Sequence, residues 1–440
     1  MIPLGNNFHR DSFCTQLWMN VVVQPAGEFK ICCLANDNTD SGVAKDDNGN
    51  VMHILTHSFL DAVNSVAFRR HRLELSNNIQ PEKCRNCYQI EKANGRSIRQ
   101  ARNDFHLSDP KIITVNNATS VTSNDGSTTL LPIALDLRLG NLCNYKCVMC
   151  SPKYSSSWES EWEAATGRTD ANLSIGDDLS VPYQLIKTVK NKIQLKNANS
   201  WWESDKWWKH FEEVAHVVRY LHFTGGEPLL VPAHREVLER LIARGRAHEV
   251  ELRYHTNLSV VNTPLFNLIK QFKSVSLSVS VDDIDDRYHL IRNPGQFDQL
   301  LRNLYKLQKI GIRPVDLNGC IGVSTIYAPF RLVPLSRKLN LSYYWRFLYG
   351  PEEQSLIFLP DSAKKEIIDV YESSTIDLGP VNQSVTAFLR MHMNKHNPHF
   401  IKRYVQFMNR LDNIRGVSWR ETLHDVYDLL QRHCPAAFEN

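Results

Sequence analysis

Gly140-Asn141-Leu142-Cys143-Asn144-Tyr145-Lys146-Cys147-Val148-Met149-Cys150 sets three cysteines at spacings of four and three. The run before it, Pro132-Ile133-Ala134-Leu135-Asp136-Leu137-Arg138-Leu139, alternates apolar and other residues with the period of a β-strand. A loop at the C-terminal end of a strand can fold three thiolates around one corner of an iron–sulfur cube, a group normally held by four cysteines. With three local ligands one iron stays open to something else. An open iron points to catalysis more than to electron storage.

Downstream of this loop strands alternate with helices, the pattern of parallel βα units. Strands are expected over 133–139, 218–224, 249–256, 274–282, 321–326 and 342–348, and helices over 232–245, 262–272 and 296–310. The fold class is therefore α/β, a partial barrel of six βα units over residues 131–350 rather than the full eight. A long insertion at 166–217 exceeds an ordinary loop. It carries Trp201-Trp202-Glu203-Ser204-Asp205-Lys206-Trp207-Trp208, and aromatic anchors pinning a helical insertion are expected ahead of a substrate lid. Residues 351–440 read as a helical region, with helices near 361–373, 399–413 and 419–432, that caps the barrel or dimerises.

Upstream, residues 1–110 form a small α+β unit, followed by a turn-rich linker at 111–130. A hairpin is expected around Pro25-Ala26-Gly27, then a helix from Ser58 to Glu74, then the C-x-x-C pair Cys84 and Cys87 opening another helix. Cys14, Cys32, Cys84 and Cys87 suit a closed four-sulfur site, zinc or iron–sulfur on spacing alone. Strand alternation favours Cys32 as the ligand and Cys33 as a core thiol, with Cys33 the alternative. Cys320 and Cys434 stand alone and are expected to be buried and inert.

The second strong motif, Thr224-Gly225-Gly226-Glu227-Pro228, closes the second barrel strand. Its glycines let backbone approach a ligand, and its carboxylate can accept from a cationic amine.

Cys143-x-x-x-Cys147-x-x-Cys150 after a first strand and Gly225-Gly226-Glu227-Pro228 after the second resemble the radical S-adenosylmethionine (SAM) superfamily over residues 131 to about 350. The resemblance implies a [4Fe–4S] cluster on Cys143, Cys147 and Cys150, with SAM chelating the fourth iron. Reductive cleavage of SAM would give a 5′-deoxyadenosyl radical that abstracts hydrogen from substrate. It also implies methionine, ribose or adenine contacts from Met149, Gly225, Gly226, Glu227, Pro228, Thr256, Asn257, Ser280 and Asp282, and an external flavodoxin- or ferredoxin-like electron donor. Cys14, Pro25-x-Gly27, Cys32 and Cys84-x-x-Cys87 resemble the SPASM or twitch modules that hold an auxiliary [4Fe–4S] cluster, here placed before the barrel.

In a barrel with helices outside, the polar residues of each alternating strand face the lumen. Asp136, Arg138, His222, Arg253 and His255 there depart from the branched apolar filling of a closed barrel. They point to a polar, anionic substrate or to the SAM carboxylate; an internal salt bridge of Asp136 with Arg138 or Arg253 is the bland reading. Peptide or protein modification is expected ahead of chemistry on a polar metabolite, sugar or nucleotide. A zinc-stabilised scaffold or an electron-transfer protein is the competing class, but Asn141, Asn144 and Tyr145 supply no fourth zinc ligand.

Composition agrees with a soluble globular chain: 440 residues, 42% hydrophobic and 22% charged. A net charge of +4 without any Lys/Arg block gives no reason to expect nucleic acid. No leader pattern and no long apolar run are visible, so a cytoplasmic location without membrane contact is expected.

Overall fold

The computed structural model describes every residue except 1, 36–41, 93–95, 107–112, 169–184, 188–192, 196–200 and 440. Strands β1 (Asn20–Val23) and β2 (Phe29–Lys30) pair antiparallel around the Pro25-Ala26-Gly27 turn. β3 (Ala134–Arg138) leads into the three-cysteine loop. β4 (Leu185–Lys187) and β5 (Ile193–Leu195) pair with each other in a two-stranded sheet within the long insertion. β6 (Tyr220–Thr224), β7 (Glu251–Thr256), β8 (Ser274–Ser280), β9 (Asp316–Ile321) and β10 (Ser342–Phe347) complete the six parallel strands begun by β3.

The hairpin does not stand apart from the barrel. β1 runs parallel to β3, with Asn20 opposite Ala134 and Val23 opposite Leu137, so the sheet has eight strands in the order β10-β9-β8-β7-β6-β3-β1-β2. Val21, Val22 and Val23 are buried on both faces, and strands of that kind need cover on each side. Val21, Val23 and Phe29 therefore share one core with Leu135, Leu221, Leu252 and Leu277.

The tryptophans of the insertion do act as anchors. Trp201 and Trp207 are fully buried, the Trp201 indole N–H donates to the Pro25 carbonyl at 2.9 Å, and Trp207 meets Phe59 edge-on. They sit on or just before the helix Asp205–Ala215, which is the crossover that returns the chain to β6. Most of 166–200, where a lid would lie, falls outside the described residues.

Several expected elements are displaced. The strand expected at 321–326 is β9, at Asp316–Ile321, because inward Asp316 and Asn318 hide its alternation; Val323–Thr325 is a single helical turn. The Ser58–Glu74 helix is two helices, Phe59–Val63 and Val66–Ser76. The one expected over 419–432 breaks at buried Leu423 into Trp419–Thr422 and His424–His433. Helices Asp285–Ile291, Pro329–Lys338 and Pro380–Met391 were not expected. The C-terminal helices build a second core that includes Val148, Trp158 and Trp162 and packs against Met149 and Cys150, so they wrap the three-cysteine loop. Among the described residues no helix is long and apolar enough to cross a membrane.

Candidate iron–sulfur and substrate site

The loop after β3 and the turn after β6 interlock. Glu227 N–H donates to the Leu142 carbonyl at 2.7 Å. A Cβ on Gly226 would stand 2.2 Å from that same oxygen, so only glycine lets the two backbones touch. Gly225 adopts φ +106°, a conformation side chains rarely accept.

Glu227 is buried and fully engaged, accepting from Thr256 Oγ1 at 2.6 Å, Asn257 N at 2.7 Å and Leu229 N at 3.2 Å. Burial pushes its carboxyl up to about 7, against the pull of these bonds. It ties the end of β7 to the turn, and with Thr256 and Asn257 it forms a support. Asn257 Nδ2 donates to Asn144 Oδ1 at 3.1 Å and approaches Cys143 Sγ at 3.9 Å. Pro228 opens the short turn that follows, and Ser280 ends β8 half-buried. Met149 is half-buried beside the C-terminal core.

Asp282 lies just past the end of β8. With no exposure its carboxylate needs a cation, and it pairs with Arg292 at 2.7 Å while accepting from Cys320 N at 2.7 Å. Arg292, which sequence did not single out, in turn reaches Cys147 Sγ at 3.9 Å. Cys320 is half-buried rather than buried; burial and Asp282 push its thiol up to about 12.

The three loop thiols act on one another. Burial pushes Cys143 up to about 12, with Cys147 and Glu227 adding to it. Cys150 is raised by burial, then by Cys147 and Cys143; Cys147 is raised by burial although Arg292 opposes this. Among the described residues no three His, Cys, Asp or Glu side chains close on a single metal-ion position. A cube, which spreads its thiolates over separate irons, fits this set better than one zinc ion. Its positive irons would make thiolates of thiols that the bare site keeps protonated.

At the opposite end of the sheet, Cys14, Cys32, Cys84 and Cys87 line one small cavity with Leu17, Ile31 and Ala35. Burial, then Cys87, pushes Cys14 up to about 12. Arg99 lies beside them, donating to the Phe13 carbonyl at 2.6 Å and paired with Glu91. Cys33 is not a core thiol and does not line this cavity. After β2 the chain turns, Ala35 N–H donating to the Cys32 carbonyl at 3.2 Å, so strand alternation ends and Cys33 faces the barrel lumen.

The lumen holds a cavity of about 490 Å³, within the range of small-molecule sites. Asp136, Arg138, His222, Arg253 and His255 all line it. It extends from the first residues of β6, β7 and β8 to Arg138 and Thr224, directly beneath the Gly225 turn. Asp136 meets His222 at 3.5 Å and Arg138 at 3.7 Å; burial would raise its carboxyl, but these two neighbours hold it well below the carboxylate range. The bland salt bridge thus exists for Arg138 and not for Arg253. The His222 and His255 rings lie 4.9 Å apart, and burial keeps His255 neutral.

Cys33, Arg102 and Arg346 also line this cavity and were missed. Arg346 was legible, since Tyr344 and Arg346 alternate along β10 with Tyr343 and Trp345. Arg102 sits on the helix Ile98–His106 of the N-terminal unit, where nothing local marks it.

Comparison with known proteins matches residues 137–326 to the radical SAM superfamily and residues 14–88 to the SPASM iron–sulfur cluster-binding domain. A GTP 3′,8-cyclase from Corynebacterium glutamicum (strain R) is 24% identical over 233 residues, 50% of this chain and 52% of that protein. The chain thus spans about half the length of the curated relative it matches. Among solved structures, native anSMEcpe with bound AdoMet is similar at 15% identity and a TM-score of 0.35, covering 65% of this chain and 62% of the other. Streptococcus suis SuiB bound to S-adenosylmethionine is similar at 11% identity and a TM-score of 0.33, covering 91% and 75%. The chain carries a radical SAM superfamily domain over residues 137–326 and, ahead of it, an iron–sulfur SPASM domain over residues 14–88.

Proposed function

We propose that this chain is a radical SAM enzyme whose substrate occupies the lumen between two iron–sulfur sites. Cys143, Cys147 and Cys150 would hold the [4Fe–4S] cluster to which SAM binds, and Cys14, Cys32, Cys84 and Cys87 the auxiliary cluster. When bound, the cluster and SAM supply abstraction of a hydrogen atom from substrate. The observation that carries the reading is the lumen cavity, which runs from beneath the Gly225 turn to Cys33 beside the auxiliary site.

The chain's own residues position and shield. Glu227 locks the turn to β7, Arg292 places positive charge beside Cys147, and the C-terminal helices cover the loop. A cavity of about 490 Å³ suits a polar metabolite, sugar or nucleotide better than an extended peptide. Peptide modification is the second reading, supported by the SPASM module and requiring one residue to enter the lumen. A flavodoxin- or ferredoxin-like protein would deliver the electron. The direct test incubates anaerobically reconstituted protein with SAM and dithionite: 5′-deoxyadenosine is expected, and iron-replete protein that releases none overturns the proposal.

A further inference from the structure

Three guanidinium groups converge on the part of the lumen that faces the N-terminal unit: Arg102 from that unit, Arg253 from β7 and Arg346 from β10. Arg253 Nε and Arg346 Nε are buried and have no hydrogen-bond partner among the described residues. Arg102 and Arg346 both act on Arg253 as like charges. Two of the three carboxylates nearby are paired with other cations. Asp136 serves Arg138 and His222, Glu251 pairs with Lys273 at 2.8 Å, and Asp316 takes the Ser278 hydroxyl. Asp316, which does not line the cavity, attracts both Arg253 and Arg346, on Arg253 more weakly than Arg102 repels it. The cavity lining thus holds four cations, Arg102, Arg138, Arg253 and Arg346, against two carboxylates, Asp136 and Glu251.

Like charges gathered away from bulk water repel strongly, and guanidinium forks match the oxygens of phosphates and carboxylates in pairs. We infer that Arg102, Arg253 and Arg346 bind a multiply charged oxyanion of the substrate, a phosphate or paired carboxylates, and so direct its reacting carbon toward the Gly225 turn. This rests on the lumen being the substrate chamber and names the class of molecule it takes. The SAM carboxylate is not the occupant, because the site faces Cys33 rather than the three-cysteine loop.

The test titrates pyrophosphate, phosphate and malonate, at constant ionic strength set with chloride, into the reconstituted full-length protein and follows heat of binding. Saturable binding of at least one of them is expected, weakened at least tenfold in Arg253→Gln and in Arg346→Gln. It should be partly kept in Arg346→Lys and unchanged in Lys306→Gln, an exposed control on the helix Phe297–Ile310. Preference for phosphate or pyrophosphate assigns a phosphorylated substrate; preference for malonate assigns a carboxylate. Wild-type protein that binds none of them better than chloride overturns the inference, as does binding by the two Gln variants as tight as that of wild type. Lost anion binding with SAM cleavage intact removes this inference alone. Anion binding without SAM cleavage removes the enzymatic reading and leaves the site.

Discussion

The two cysteine sites stand at opposite ends of one sheet and are built differently. The upper one is a single loop of three thiols, locked by a glycine contact and backed by Arg292. The lower one draws four thiols from three separate segments into a small cavity, with Arg99 beside them already paired to Glu91. A short loop leaves one coordination position free. A site assembled across the chain closes on its occupant. Under the proposed function, the difference would put chemistry at the upper end and electron handling, or support of the fold, at the lower.

The sharpest way to break this contrast is Cys147→Ala. Reconstituted wild type should bind about eight irons if both sites hold cubes. The variant should lose about half of them and all release of 5′-deoxyadenosine. If cleavage of SAM survives, the upper site is not the reactive one.

A subtler cut falls between neighbours. Cys32→Ser should lose the lower cluster, read as iron content and visible absorbance, while SAM cleavage falls little. Cys33→Ser should keep the full iron content, because Cys33 faces the lumen and not the four-cysteine cavity. The opposite result would exchange the two roles and move the ligand set by one residue.

These neighbours also show what sequence could and could not reveal. The upper site was legible because its ligands and its supporting turn are each contiguous, and each follows a strand whose alternation is clear. The five lumen residues were legible for the same reason: a strand's period of two tells inside from outside. Cys33 was misplaced because that period stops at Lys30, where the chain turns. The partner of Asp282 was not legible, because Arg292 lies on the far side of a helix that sequence did not reveal. Arg102 was invisible, since only the pairing of β1 with β3 brings its helix to the lumen. Local period carries local roles; contacts between units decide the rest.

Gly226→Ala tests the lock at the upper end. The added methyl would meet the Leu142 carbonyl oxygen at 2.2 Å, a backbone atom that cannot swing aside. The overpacking should cost roughly 3 kcal/mol and lower SAM cleavage more than tenfold, while the lower cluster keeps its iron. Equal loss of iron at both ends would show that the glycine holds the whole sheet rather than one loop.

The smallest effect concerns the wall between the two ends. His234 lies on the helix side of the sheet, fully buried, its Nε2 2.9 Å from the Tyr254 hydroxyl and its ring packed on Phe223. Burial lowers its pKa from 6.5 to about 3, so the folded chain keeps it neutral while the unfolded chain takes a proton below 6.5. The sign follows: this contribution to stability is complete above pH 6.5 and is lost as pH falls toward 3. Between pH 6.5 and 5 it should cost roughly 2 kcal/mol. His234→Phe should flatten that part of the unfolding free-energy curve against pH. The lumen variants Arg253→Gln and Arg346→Gln should leave it intact. A slope unchanged in His234→Phe would place the acid sensitivity inside the barrel, at His255, and not in its outer wall.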